Sequence, residues 1–378
     1  MHRRLFLQLM ATTSGSILVG KSLASCSRAN TRNSGGQTSS TSLESAWFMP
    51  DEGAPHVCTW MAFGPSAEIW GREYLSATQD NLAAIARTIA RYEPVKMLVR
   101  QADYEAAQAK CGADVELIVC PIDDLWMRDM GPVFVINEIS QKAAIDFNFN
   151  GWGGKQKHDR DAGAARFVAQ QSQAPLIHTH LVFEGGGIEV DGRGAAIITE
   201  SCILNNNRNP GLSKGDCEAE LKALLGLKKI IWLPGIAGYD ITDGHTDFYA
   251  RFARPGVVVA GFDPDPASFD HDVTTRHLEI LRAATDADGQ PLEVVVIEAP
   301  SRVRPGYASD EFAAGYINFY QVNGAVIAPE FGDDIADRRA KETLAQLFPH
   351  REIVQINIDP IAAGGGGIHC TTQQEPLV

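Results

Sequence analysis

The stretch that decides the fold runs from Gly186 to Pro234 and contains "GGIEV" (186–190), "AAIITE" (195–200), "SKGDCEAELKALLG" (213–226) and "KKIIWLP" (228–234). The first two segments are short, apolar and rich in β-branched residues, and Asp191-Gly192 between them is a tight-turn pair, so they read as a hairpin. Ser213 opens and Gly226 closes an amphipathic helix, and the last segment is another strand. The repeating unit is therefore hairpin, helix, strand.

Outward in both directions this order of elements returns, although few residue identities do. Downstream, "TDFYARF" (246–252) and "GVVVAGF" (256–262) flank Pro255-Gly256, a helix is predicted near residues 267–284, and "EVVVIEAP" (293–300) follows. Next, "YINFYQV" (316–322) and "AVIAPEF" (325–331) flank Asn323-Gly324 ahead of "DIADRRAKETLAQLF" (334–348) and "EIVQINI" (352–358). Upstream, "GPVFVIN" (131–137) and "AAIDFNF" (143–149) lead through a helix near residues 161–171 to "IHTHLVF" (177–183). Residues 57–120 supply a strand, a helix and two more strands but lack the opening strand of their hairpin, while "IHCTT" (368–372) lacks a partner. The last strand is expected to pair with the first and close a ring of five units, an α/β fold in which each unit buries its face against the next.

The first 26 residues are targeting sequence rather than fold. Arg3-Arg4 with Phe6-Leu7 resembles a twin-arginine export signal, and Leu-Ala-Ser-Cys ending at Cys26 resembles a lipobox whose cysteine is lipidated after cleavage. Residues 27–44 are mostly Ser, Thr, Gly and Asn and read as a flexible linker. Residues 45–378 are expected to form one folded domain, with no later stretch approaching the roughly 20 apolar residues of a membrane span. These features predict an exported protein, periplasmic or in the cell envelope, that meets the membrane only through its lipid. A net charge of −14 disfavours nucleic acid and attracts small cations. The seven cysteines include no CxxC pair, against a disulfide scaffold or zinc ribbon, and leave open whether Cys58, Cys111, Cys120, Cys202 or Cys217 pair. The sequence is compatible with a homo-oligomer.

Closure of the ring would point the junctions between units toward one axis. Asp129 precedes the second hairpin, Glu184 opens the third, His245 and Asp247 open the fourth, and Cys370 opens the closing one. Carboxylates that converge need a cation between them or they take up protons. A planar guanidinium offers a fork of donors that two aspartates can grip, leaving its carbon open to a thiolate while an imidazole protonates departing ammonia. The thiolate beside an imidazolium should react below the roughly 8.5 of a free cysteine. Zinc is the rival reading, but the tight pairwise spacing of a zinc site is missing, so neither metal nor cofactor is expected. Gly364 to Gly367 are expected to take positive φ and bring the thiol close to its substrate.

The chain is similar to the agmatine deiminases and bacterial-type peptidylarginine deiminases of the guanidine-modifying, or pentein, superfamily. The resemblance spans about residues 47–374 and rests on "PHVCTWMAF", "WMRDMGP", "FEGGGIEVDGRG", "LNNNRNP", "DGHTD", "INFY", "FGD" and "GGGGIHCTTQQEP". It implies a five-bladed α/β propeller in which Asp129 and Asp247 hold the guanidinium and His245 is general acid and base. Glu184 would help hold the guanidinium and steady the histidine, Cys370 would form a covalent amidino-thioether, and Trp126 would line the site. Many agmatine deiminases carry an acid four residues before the histidine, suited to the distal ammonium. Here that place is Ile241, with Asp240 and Asp243 beside it as candidate substitutes. Gly367 stands where Asn is common. The expected reaction is agmatine and water to N-carbamoylputrescine and ammonia. Arginine or peptidyl-arginine is the alternative substrate, and a non-catalytic cation-binding lipoprotein is the alternative class.

Overall fold

The computed structural model describes residues 46–309 and 311–378; the expected signal (1–26) and linker (27–44) lie outside the described residues. Four three-stranded sheets follow one another along the chain: Val133–Ile136, Lys142–Asp146 and Leu176–His178; Ile188–Val190, Ala195–Thr199 and Lys229–Leu233; Ala250–Arg254, Val257–Phe262 and Glu293–Glu298; Tyr320–Val322, Ala325–Glu330 and Glu352–Asn357. In each, the first two strands are antiparallel and the third runs parallel to the second. A parallel neighbour needs a crossover, and the helices Ala164–Gln171, Lys214–Leu225, His271–Ala283 and Asp334–Leu347 supply it. Lys214–Leu225 shows the local logic. Ser213 and Asp216 bond each other's backbone in a capping box, Gly226 ends the helix at φ 66°, and Cys217, Leu221 and Leu225 form the buried face.

The remaining sheet closes the ring. Gln373–Pro376 runs antiparallel to His56–Phe63, with Trp60 opposite Gln373 and Cys58 opposite Glu375, and Val95–Val99 and Val115–Val119 extend it in parallel. Closure thus occurs as the sequence predicts, but the closing strand begins at Gln373, five residues later than expected. "IHCTT" is not a strand: His369–Thr371 form one helical turn, held by the hydroxyls of Thr371 and Thr372 donating to the carbonyl of Ile368 at 2.8 and 3.1 Å. Other strands are also shorter than predicted. "TDFYARF" begins pairing only at Ala250 because Thr246–Phe248 coil into a turn, "YINFYQV" begins at Tyr320, and "IHTHLVF" pairs only over Leu176–His178.

Each blade is bonded to the next near the axis. Gln373 Nε2 donates to Pro132 O (2.7 Å) between the first and second, and Gly186 N to Asp129 Oδ1 (3.0 Å) between the second and third. Phe252 N donates to Glu189 Oε1 (2.9 Å) between the third and fourth, and Arg251 to Phe319 O between the fourth and fifth. His369 N donates to Asn318 Oδ1 (3.0 Å) between the fifth and first. Side chains at the junctions are thereby held against a closed frame.

Candidate active site

Each junction contributes through a short turn placed just before its hairpin. Asp129 lies on the single turn Met127–Met130, where Trp152 Nε1 donates to its Oδ2 at 2.9 Å and Gly186 N donates to its Oδ1. Glu184 precedes the turn Gly185–Gly187, His245 and Asp247 bracket the start of Thr246–Phe248, and Cys370 sits on His369–Thr371. Such turns aim side chains inward without the alternation a strand would impose.

The five residues that the sequence placed at the axis are brought together. Nε2 of His245 is 3.2 Å from Oε2 of Glu184, and its Nδ1 is 3.7 Å from Oδ1 of Asp129. A Cβ on Gly186 would stand 2.5 Å from Nδ1 of His245, 2.8 Å from Oδ1 of Asp129 and 3.2 Å from Oδ2 of Asp247, so side chains of two blades converge on the bare backbone of a third. Cys370 Sγ donates to Asp247 Oδ2 across 3.5 Å and accepts from Asn318 Nδ2 at 3.3 Å. The sulfur belongs to this cluster and does not face bulk solvent, the residue being 7% exposed. Nδ1 of His245 and Oδ1 of Asp247 are buried without a hydrogen-bond partner among the described residues.

Charge follows from this burial. Burial opposes ionisation of His245, but Asp129, the hydrogen bond to Glu184 and the charge of Asp247 raise its pKa to about 9, making it an imidazolium. Burial raises Asp129, helped by the charges of Glu184 and Asp247 and opposed by His245. Burial also opposes ionisation of Asp247 and Glu184, yet His369 holds the first below the ordinary range, and His245 with Arg208 the second. Cys370 departs from expectation. Burial and the carboxylates of Asp247 and Asp129 push its thiol well above the ordinary range, so the resting sulfur is a thiol, not a thiolate.

The glycine run is also corrected. Only Gly365 takes positive φ, at 86°. The other three are glycine because a Cβ would collide with Trp70 at Gly364 (2.2 Å), with Trp126 at Gly366 (2.1 Å) and with Asn318 at Gly367 (2.2 Å). Trp126 is buried against that backbone with its ring tilted onto Trp70, centroids 5.9 Å apart. Asp243 does not offer a spare charge for a substrate tail, since Lys155 Nζ and Arg208 Nη1 reach its Oδ2 at 2.7 and 2.5 Å. Asp240 braces its own loop, its Oδ1 accepting from Thr242 N and Oγ1, both at 2.7 Å, while Ile241 packs on the core.

Sequence reasoning missed Asn318, His369, Glu52, Arg208 and Trp152. Asn318 had a signal, being the residue the fifth junction should contribute. Arg208 donates from Nε to Glu184 Oε1 at 2.9 Å and stands in "LNNNRNP", a motif noted without a role. Glu52 lies ahead of the first strand, outside the repeat, where no pattern points to it. Cys58, Cys111, Cys120, Cys202 and Cys217 are buried free thiols.

The profile of the Porphyromonas-type peptidyl-arginine deiminase family matches residues 48–376. A Streptomyces coelicolor protein carrying agmatine deiminase as a provisional name is 44% identical over 87% of this chain and 98% of its own length. The agmatine deiminase of Stutzerimonas stutzeri is 37% identical over 89% of this chain and 97% of its own. Among solved structures, agmatine deiminase of Enterococcus faecalis superposes with a TM-score of 0.82 at 30% identity, covering 88% of this chain and 96% of that one. The ring of five sheets agrees with these likenesses, and the chain belongs to the Porphyromonas-type peptidyl-arginine deiminase family.

Proposed function

We propose that the chain hydrolyses agmatine to N-carbamoylputrescine and ammonia through Cys370. The observation that carries this reading is the convergence of Asp129, Asp247 and His245 on Gly186 with the Cys370 sulfur 3.5 Å from Asp247. Asp129 and Asp247 take the guanidinium, whose charge offsets their repulsion and lowers the cost of ionising the thiol. The thiol releases its proton to solvent, the resulting thiolate bonds to the guanidinium carbon, and one C–N bond breaks as His245 gives its proton to the leaving ammonia. Water then attacks the amidino-thioether and gives one proton to His245, and the C–S bond breaks as the remaining hydroxyl proton passes to sulfur, yielding the ureido product and the free thiol. Glu184 holds the imidazole throughout, as its 3.2 Å contact allows.

Agmatine is supported by the names of the relatives. Peptidyl or free arginine is favoured by one observation, that the place of the tail-binding acid is the apolar Ile241 and the adjacent Asp243 is already matched by Lys155 and Arg208. Ammonia release from agmatine, arginine and short arginine peptides decides; release from peptides alone would remove agmatine. Release from none, with agmatine bound equally by native protein and Cys370→Ala, would favour the non-catalytic binder.

The N-terminal sequence supports export by a twin-arginine signal and lipid attachment at Cys26. Metabolic labelling with a fatty-acid analogue should mark the native protein and not Cys26→Ala; an unmarked native protein recovered in the cytoplasm would contradict both.

A further inference from the structure

The histidine beside the nucleophile takes no part in the reaction just written, yet both of its ring nitrogens lie within hydrogen-bond distance of a carboxylate. His369 is 2% exposed, with Nδ1 2.7 Å from Oδ2 of Asp247 and Nε2 2.9 Å from Oε2 of Glu52. A neutral imidazole has one donor and one acceptor, so one of these contacts would set a lone pair against a carboxylate. Only the doubly protonated ring donates to both.

The surroundings balance a cation at this point. Arg251 Nη2 lies 2.9 Å from Oε1 of Glu52, and Arg128 Nη2 lies 3.2 Å from its Oε2. Glu189 pairs with Arg251 at 3.1 Å, and the neighbouring Cys370 is a neutral thiol. Glu52, Glu189 and Asp247 thus face Arg128 and Arg251, and an imidazolium makes the buried set even. Glu52 is itself fixed, because Gln321 N donates to its Oε1 at 2.9 Å. Burial opposes its ionisation, but Arg251, His369 and Arg128 hold it well below the ordinary carboxylate range. The ring therefore stands between an anchored acid and the acid next to the nucleophile.

We propose that His369 is a positioning residue that, as an imidazolium clamped between Glu52 and Asp247, keeps Asp247 ionised and leaves its Oδ1 facing the substrate guanidinium. The proposal rests on the guanidine-hydrolase reading and deepens it. Nδ1 occupies Oδ2, while Oδ1 has no partner among the described residues. Asp247 held below the ordinary range by His369 agrees with this division of its two oxygens.

Two measurements test it. In native protein labelled with ¹⁵N-histidine, the His369 signals, identified by their loss in His369→Asn, should show protons on both ring nitrogens. A neutral tautomer at neutral pH would overturn the proposal whatever the substrate proves to be. The second uses Cys370→Ser as parent, with agmatine as the titrated ligand and calorimetry as the readout. His369→Ala should weaken agmatine binding roughly tenfold or more, and His369→Asn, whose amide can still donate toward Asp247, by less than about threefold. Unchanged affinity in His369→Ala would overturn the positioning role, whereas native protein releasing no ammonia from agmatine would count against the choice of substrate alone.

Discussion

The sulfur of Cys370 donates to Oδ2 of Asp247 across 3.5 Å, so the proposed nucleophile and an acid proposed to bind the substrate are in contact before any substrate arrives. In that state the acid suppresses ionisation of the thiol. A planar cation between Asp129 and Asp247 reverses the effect, and the binding charge becomes the activating charge.

A reagent that carries such a charge should therefore outpace one that does not. A haloacetamidine should inactivate the protein at least about tenfold faster than iodoacetamide at neutral pH, and the iodoacetamide rate should climb as the pH is raised. Residual ammonia release measures both. Equal rates at neutral pH would mean that the resting sulfur is already a thiolate.

Gly186→Ala tests the convergence of the three side chains without touching any of them. The added methyl would meet His245 Nδ1 at 2.5 Å and Asp129 Oδ1 at 2.8 Å. A displacement of this kind should lower kcat/KM by about 10²-fold or more while the circular dichroism spectrum stays native. Near-normal turnover would show that the reacting groups lie elsewhere.

Glu52 should be the most costly single acid to remove. Glu52→Ala strips Arg251, Arg128 and His369 of their shared partner, and an uncompensated buried charge costs on the order of 3–5 kcal/mol. Glu52→Gln keeps the shape and part of the hydrogen bonding and should lose less. Urea denaturation at fixed pH gives both values, and a loss under about 1 kcal/mol in the alanine variant would contradict the role of Glu52 as an anchor.

Stability should fall as pH rises from about 4 to about 8, with Asp161 a principal cause. Its carboxylate accepts from Asp123 N at 2.7 Å, yet burial together with the charges of Asp124 and Asp123 raises its pKa to about 8. A raised folded pKa stabilises fully below the unfolded value near 4 and is lost as pH rises toward 8; His245, raised to about 9, acts in the same sense at higher pH. Asp161→Asn retains an acceptor without the charge. It should recover on the order of a few kcal/mol relative to native protein between about pH 5 and about pH 9. A parallel decline in both proteins would place the cause elsewhere.

The ring was legible because hairpin, helix and strand leave a period in the sequence, and an unpaired segment at each end implied closure. The cluster was legible because junctions repeat with the blades, which is how Asp129, Glu184, His245, Asp247 and Cys370 could be named together. Strand starts were misplaced because "TDF" and "HCTT" have the composition of strands, while their local turns, secured by neighbouring hydroxyls and by inward-facing side chains, prevail. Glu52 and His369 were hidden for another reason. Their importance arises from ion pairing across blades far apart in sequence, which no local pattern records. The charge state of Cys370 was misread because it depends on the summed field of two acids, not on the imidazole alone.

Sulfur at position 370 is proposed to attack a guanidinium carbon. Acid quenching during steady-state turnover of agmatine, followed by peptide mass spectrometry, tests it most directly. A Cys370 peptide heavier by agmatine less ammonia is expected, absent in an inactive Cys370→Ser. Full turnover by Cys370→Ser, or the adduct on another residue, would contradict it.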